Sequence, residues 1–322
     1  LLAFAMTFSL AACGSSGGND DQANSDADTE SGSDEDAIPD NEITGDPSAK
    51  DAFVVWAWNT DFTTLQDLLV EKYPDLKDRL VFVNCGGSSY YQDKIDALLD
   101  DPSNELYPDM MLLEVGYVQK YVQSDYLMSL KDLGITDADL ADQYQYTKDI
   151  VTDSNGVLKG VSWQGCPGVL FYNREAAKEV LGSDDPADVQ EYVKDWDTFN
   201  DTAAKLKDAG YKITSSANDS YRVYSNNVSS KWVTDGKITI DDNIMKWVDD
   251  SKELVDAGET STAELWSDDW KKGFYPDGKV FCYFGPAWLV NFSMAAEDEG
   301  SIANLGGWGA TQGPQGFFWG GT

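Results

Sequence analysis

From residue 53 onward the chain alternates between short continuous apolar runs and apolar positions spaced three to four apart. Phe53-Val54-Val55-Trp56-Ala57-Trp58 has the length of a buried strand, and Asn59-Thr60-Asp61 ends it. Leu65, Leu68, Leu69 and Tyr73 then fall on one face of a helix. Residues 80–83 form a second apolar run, and Cys85-Gly86-Gly87-Ser88-Ser89 reads as a loop. Tyr91, Ile95, Leu98 and Leu99 mark another helix face, and Pro108-Asp109 leads into a third strand over 110–113. Strand, helix, strand, helix, strand predicts a parallel sheet with crossover helices.

Further along, Gly165-Cys166-Pro167-Gly168 breaks two apolar runs, 160–163 and 169–172. It reads as a tight bend or a passage between lobes. A helix over 196–209 stops at Gly210, and another lined by Ile244, Trp247, Val248, Leu254 and Val255 stops at Gly258. Residues 279–284 predict a buried strand turning at Gly285-Pro286 into an amphipathic helix, with more strands at 305–310 and 317–319. Trp247, Trp266 and Trp270 stand at helical spacing with other apolar residues and are expected in the core.

The front of the chain differs in kind. Residues 1–12 are apolar apart from Thr7 and Ser9, the length of a signal-peptide hydrophobic region and too short to span a bilayer. Leu10-Ala11-Ala12-Cys13-Gly14 resembles the bacterial lipobox, which implies lipidation of Cys13 and a chain clipped at its front. A second acyl group would make such anchoring stable. Residues 13–51, rich in Gly, Ser, Asn, Asp and Glu, are expected to form a disordered acidic tether, because they bury too little apolar surface to offset chain entropy. Asp34-Glu35-Asp36 lacks the spacing and turn glycine of a calcium loop.

Net charge is −34 with no basic stripe, which argues against nucleic acid and against direct docking on anionic membrane. Cys85, Cys166 and Cys282 leave two arrangements open, one disulfide plus a thiol or three buried thiols, and buried thiols are favoured. The chain contains no histidine. That removes Ser-His-Asp triads, Cys-His pairs, HExxH zinc sites and the commonest general base, so no enzyme, cofactor or metal site is expected.

Several blocks in order resemble the sugar-binding branch of the extracellular solute-binding proteins, the maltose-binding-protein-like family of carbohydrate ABC transporters. They are Val55-Trp56-Ala57-Trp58-Asn59 with Asp61, Tyr107-Pro108-Asp109-Met110-Met111, Tyr117-Val118-Gln119-Lys120-Tyr121 leading to Tyr126-Leu127-Met128-Ser129-Leu130, Gly160-Val161-Ser162-Trp163 with Phe171-Tyr172-Asn173, and Gly278-Lys279-Val280 leading to Gly285-Pro286-Ala287-Trp288. The resemblance covers residues 52–322. It implies an α/β, two-lobed periplasmic-binding-protein fold (type II) with hinge strands and a central ligand cleft. It places 52–162 plus 305–322 in the first lobe and 163–304 in the second, and implies that family members continue beyond residue 322. Where relatives often carry an acidic sugar ligand this chain has Gly116, so either Glu114 takes that role or the site differs.

A sugar presents apolar C–H faces that aromatic rings cover, and hydroxyls that carboxylates and amides accept. The chain carries 11 Trp and 16 Tyr. Ligands of open α/β sheets bind at the carboxyl ends of strands, where Trp58, Asn59, Asp61, Glu114 and Tyr117 fall. Asp61 reads equally as a helix cap, and Trp58 also as a core residue. Tyr91 and Gln92 follow the Gly/Ser loop and are candidates to close over a ligand, though Tyr91 also fits a buried face. Trp163, Trp288, Trp308 and Trp319 are candidate stacking platforms, Trp288 foremost because the resemblance puts an aromatic there. Arg222 is read as the ion-pair partner of Asp219 rather than a clamp for an acidic sugar.

The expected function is capture of a sugar or oligosaccharide by cleft closure and delivery to the permease subunits of an ABC importer. The expected protein is a monomer, lipid-anchored on the extracytoplasmic face of the membrane, at the surface of a Gram-positive bacterium rather than in a periplasm. No P-loop is present, in keeping with ATP hydrolysis by another subunit. The competing classes are a surface glycoside hydrolase, which needs two carboxylates about 5–10 Å apart, and an adhesive surface lipoprotein without a closing cleft.

Overall fold

The computed structural model describes residues 40–321, apart from the side chains of residues 61, 64, 88 and 89. Cys13 and the apolar segment before it lie outside the described residues. Two lobes, each with its own sheet, make up the described part. The first lobe is built on β1 (Glu42–Thr44), β2 (Phe53–Ala57), β3 (Leu80–Asn84) and β4 (Met110–Met111), in the order β1-β3-β2-β4. β2 pairs parallel with both β3 and β4, as the alternation of elements predicts, while β1 closes the β3 edge antiparallel. Glu42–Thr44 lies inside the stretch expected to be unstructured, so ordered chain begins before residue 51. Its short Glu-Ile-Thr run carries too little apolar character to be read as a strand without the β3 edge to pair with.

β2 and β3 bury side chains on both faces, which is why they read as continuous apolar runs instead of alternating ones. On one face Tyr91, Ile95 and Leu99 of helix Ser88–Leu99 pack with Val54, Trp56, Val81 and Val83. Helix Gln66–Lys72 departs from its predicted face, since Leu68 and Tyr73 are exposed. Val70, with Phe62 and Leu76 from the flanking 3-10 turns, packs against the other sheet face instead.

The second lobe contributes β5 (Gly168–Asn173), the hairpin β6 (Val233–Thr234) and β7 (Lys237–Ile238), β8 (Cys282–Pro286) and β9 (Trp308–Thr311). Its sheet has the order β8-β5-β9, all antiparallel. Helices Pro186–Val193, Trp196–Asp208 and Asp242–Asp256 surround it, started by Asp185, Asp195 and Asp241, whose carboxylates accept backbone N–H groups. Gly210 and Gly258 follow two of these helices with φ of 87° and 69°, the left-handed geometry a helix stop requires. The core centres on Leu170, Tyr172, Phe199, Phe281 and Phe284, with Trp196 stacked on Tyr224 at 3.9 Å.

β9 differs from the expectation that residues 305–322 belong with the first-lobe sheet: Trp308–Thr311 pairs with β5, and Thr311 donates to Gln190 at 2.7 Å. The chain returns to the first lobe only at its last described residues, where Val115 N–H donates to Gly320 O at 3.1 Å and Glu114 bridges Gly321. The other crossing, through Gly165-Cys166-Pro167, runs beside it, with Pro167 bridged to Phe318 and Trp319 N–H donating to Cys166 O at 3.1 Å. Cys85, Cys166 and Cys282 are all free thiols. Cys85 and Cys282 are buried and Cys166 is half-buried, and burial pushes all three thiols up.

Candidate ligand-binding site

Glu114 follows β4 at the end of the first-lobe sheet, and its position is set by the backbone bridge to Gly321. Its Oε2 accepts the Gly116 N–H at 2.6 Å and lies 3.5 Å from Arg222 Nη2. Arg222 belongs to helix Tyr221–Asn226 of the second lobe, so this ion pair spans the two lobes. Gly116 provides the room for it. A Cβ there would stand 2.7 Å from Glu114 Oε2 and 3.0 Å from the guanidinium. The position where the resemblance leads one to seek an acidic residue is thus filled from both sides by Glu114 and Arg222.

Burial pushes the Glu114 carboxyl above its ordinary range, while Arg222, the Gly116 N–H and the Trp319 indole pull it back. Glu114 Oε1 and the Tyr117 hydroxyl are buried without a hydrogen-bond partner among the described residues. Burial first, and the Glu114 charge second, push the Tyr117 hydroxyl up, so it remains a neutral donor. A buried acceptor and a buried donor left unpaired are each costly in a folded protein.

Around this pair stand the aromatic rings. The Arg222 guanidinium lies 5.0 Å over the Trp319 ring, a cation–π contact. Trp319 packs edge-wise on Trp288 at 5.3 Å, and Trp288 Nε1 donates to Trp319 O at 3.0 Å. Trp266 meets Trp319 at 5.6 Å and Trp288 at 6.5 Å, nearly parallel to the latter. Trp58 and Trp163 flank Gly321, where a Cβ would lie 3.2 Å from the Trp58 ring and 3.5 Å from Trp163 Nε1. Trp163 is 40% exposed and rests edge-on against Phe62 at 5.9 Å.

The structure therefore gathers Trp58, Glu114, Trp163, Trp288 and Trp319 around residues 320–321, with Tyr117 next to Glu114. Tyr91 is not at the surface of this site. It is fully buried, sits edge-on to Trp58 at 5.7 Å and stacked on Tyr117 at 6.0 Å, and its hydroxyl donates to Trp56 O. The helical pattern that made it a core candidate prevailed. Trp308 lies on β9 and packs edge-on against Tyr283 at 5.7 Å in a second-lobe core cluster, because its strand pairs with β5 rather than with the first lobe. Asn59 and Gln92 are half-buried, Asn59 in the bend after β2 and Gln92 on helix Ser88–Leu99. Asp61 opens the 3-10 turn Asp61–Leu65, with Thr60 in the cap position; its side chain lies outside the described residues.

Trp266 was missed. Counting it into a helical pattern with Trp270 placed it in the core, but the helix begins at Asp268 with Ser267 as its cap, accepting Trp270 N–H at 3.2 Å. Ser267-Asp268-Asp269 is a legible helix start that leaves Trp266 outside the periodicity. Trp270 is core, as expected, whereas Trp247 is half-buried and lines an apolar groove with Trp232, Ile240 and Met245.

Arg222 likewise pairs with Glu114 rather than with Asp219. Asp219 is buried and accepts Trp270 Nε1 and Ser216 N–H, each at 2.8 Å. Burial pushes its carboxyl up to about 7 against the opposing pull of those donors. Because the folded value is raised, the folded state holds a proton that the unfolded state releases. Stability is then greatest below the ordinary carboxylate range, falls as pH rises through it, and levels off above about 7. The span is on the order of 4 kcal/mol. Asp219→Asn is expected to flatten the decline in melting temperature between about pH 4 and 7; an unchanged pH profile in that variant contradicts the assignment.

Comparison with known proteins places this architecture. Residues 69–322 match the family described as bacterial extracellular solute-binding protein. No curated protein matches the chain. Among solved structures, an extracellular solute-binding protein of family 1 is 18% identical, covers 84% of this chain and 68% of its own, and has a TM-score of 0.69. The ABC-transporter-associated binding protein of B. animalis subsp. lactis, solved with β-1,6-galactobiose, is 21% identical with 84% and 66% covered and a TM-score of 0.62. The sugar-binding protein MalE of Xanthomonas citri is 17% identical with 84% and 69% covered and a TM-score of 0.61. The chain spans about two thirds of the length of these structures, and at these identities the likeness is one of fold. With the family match running over most of the chain and the two-lobed fold in agreement, this protein belongs to the bacterial extracellular solute-binding proteins.

Proposed function

We propose that the protein is the substrate-binding component of an ABC importer and captures a sugar or oligosaccharide between its lobes. The observation that carries this reading is the Glu114–Arg222 pair, which joins the two lobes beside a set of partly exposed tryptophans. Trp rings offer area to the C–H faces of a sugar. Glu114 Oε1 and the Tyr117 hydroxyl offer one acceptor and one donor to its hydroxyls. Because these groups come from both lobes, the ligand makes its full set of contacts only when the lobes approach, and it shifts the equilibrium toward closure by that differential affinity.

Solved relatives bound to β-1,6-galactobiose and lacto-N-biose support the ligand class. Delivery to a membrane permease follows from the role of the family. The lipobox-like Leu10-Ala11-Ala12-Cys13 supports anchoring through Cys13 on the extracytoplasmic face of the membrane. A Gram-positive cell surface and a monomeric state complete the proposal.

Calorimetric titration with maltose, β-1,6-galactobiose and lacto-N-biose, with sugar analysis of each mixture afterwards, tests the reading. Stoichiometric binding of at least one sugar, recovered intact, is the expected result. Cleavage would make the protein a glycoside hydrolase, and no binding to any of the three would remove sugar capture.

A further inference from the structure

Six non-glycine residues among those described have positive φ, and Trp266 has the largest, 72°. Asp51 and Asp235 belong to a residue type that tolerates this region, but for a side chain as bulky as tryptophan the conformation is an outlier. Such outliers persist only where surrounding structure over-determines them, and they cluster at ligand clamps and switch regions.

The surroundings here do hold the residue. Ser267 caps the following helix and also donates to Glu264 O at 2.7 Å, closing the turn that contains Trp266. Trp270, one turn on, packs edge-on to Trp266 at 5.0 Å and is itself pinned by Asp219 at 2.8 Å. Yet the ring so firmly held is not buried: Trp266 is 39% exposed, whereas Trp270 is 2% exposed. A tryptophan retained for packing alone needs neither a left-handed backbone nor an open face. Trp266 has both, beside Trp288 and beside Trp319, the ring that carries the Arg222 guanidinium.

We propose that Trp266 is a ligand-stacking residue of this site, presented to the apolar face of a pyranose ring by a strained turn at a cost to the stability of the fold. The proposal rests on the sugar-binding reading given above. It adds a specific contact and a specific consequence, since the residue that strengthens binding weakens the folded chain. Asp219, through Trp270, is then the positioning residue that keeps the ring presented.

The test compares Trp266→Ala, Trp266→Gly and Trp266→Phe with the unaltered chain, using melting temperature without sugar and calorimetric affinity for maltose, β-1,6-galactobiose and lacto-N-biose. Alanine and glycine both remove the ring, but only glycine relieves the left-handed strain. The glycine variant is therefore expected to melt a few degrees above the alanine variant. Both should bind the best of the three sugars at least ~10-fold more weakly than the unaltered chain, and phenylalanine should restore most of that loss. A glycine variant that melts below the alanine variant overturns the strain, and an alanine variant that binds as the unaltered chain does overturns the contact. If the unaltered chain binds none of the three sugars, the sugar reading itself fails and the stacking role falls with it.

Discussion

Replacing Arg222 by leucine is expected to weaken sugar binding about 100-fold near pH 8 and to make the residual binding fade sooner as pH falls. Two effects combine. A hydrogen bond to a charged group is worth about 1.5–3 kcal/mol, and each 1.4 kcal/mol is about tenfold in affinity. Removing the guanidinium also leaves the Glu114 carboxylate buried without its cation. Burial already pushes Glu114 up, and Arg222 is the largest influence pulling it down. Without Arg222 the carboxyl therefore takes a proton at higher pH. A sugar hydroxyl that donates to the carboxylate competes with that proton. Binding should be full above the raised value and lost as pH falls through it, with the leucine variant losing it first. The same raised value makes the sugar-free leucine variant less stable at high pH than at low pH, since its folded form then favours the protonated acid. Titration of both proteins from about pH 5 to 9 checks this. Equal affinities near pH 8 would show that the pair takes no part in binding. Adding Glu114→Gln to the leucine variant should restore the melting temperature lost at high pH but not the affinity, because a neutral amide needs no cation.

Gly309→Ala is expected to be among the most damaging single methyl groups in the second lobe. Gly309 sits on β9 opposite Tyr172 of β5, and a Cβ there would lie 2.2 Å from the Tyr172 ring carbon Cζ and 2.4 Å from its hydroxyl oxygen. Tyr172 is fully buried, and its hydroxyl donates to Asp184 O at 2.7 Å, so the ring cannot swing aside without losing a bond and opening the core. Overpacking of this kind costs about 3 kcal/mol, which in a chain of this size lowers the melting temperature by roughly 6–12 °C. Gly316→Ala is the control. Its Cβ would meet nothing within 4 Å and its backbone is not left-handed, so its melting temperature should move by about one degree or less. If the two alanine variants melt together, β9 does not pack on Tyr172 as described. Since β9 leads into the crossing strand that carries Trp319, partial displacement of β9 should also weaken sugar binding.

Much of the fold was legible because its signals are local. The continuous apolar runs at 53–58 and 80–83, the helix faced by Tyr91, Ile95 and Leu99, and the helix stops at Gly210 and Gly258 all follow from spacing and backbone preference within a few residues. The Gly165-Cys166-Pro167-Gly168 break, readable as a tight bend or a passage between lobes, lies where Pro167 bridges Phe318. The hairpin of Val233–Thr234 and Lys237–Ile238 carried an equally local signal, since Asp235-Gly236 supplies the two positive φ values its turn needs, and it went unread.

Pairing across distance was not legible. β1 exists because β3 offers it an edge, and the lobe to which β9 belongs depends on its partner β5, where Phe171 pairs with Ala310 from 139 residues away. Composition and order of blocks in this chain pointed to rings and carboxylates at strand ends, and Trp58, Glu114, Tyr117, Trp163, Trp288 and Trp319 do meet. Three-dimensional packing alone chose Arg222 as the partner of Glu114 across 108 residues, sent Tyr91 into the core, set Trp308 against a second-lobe cluster, and brought Trp266 out of the core. The physical reason is common to all of these. A periodicity says which face of an element is apolar, but whether that face meets core, cleft or solvent is settled only by the element that packs against it.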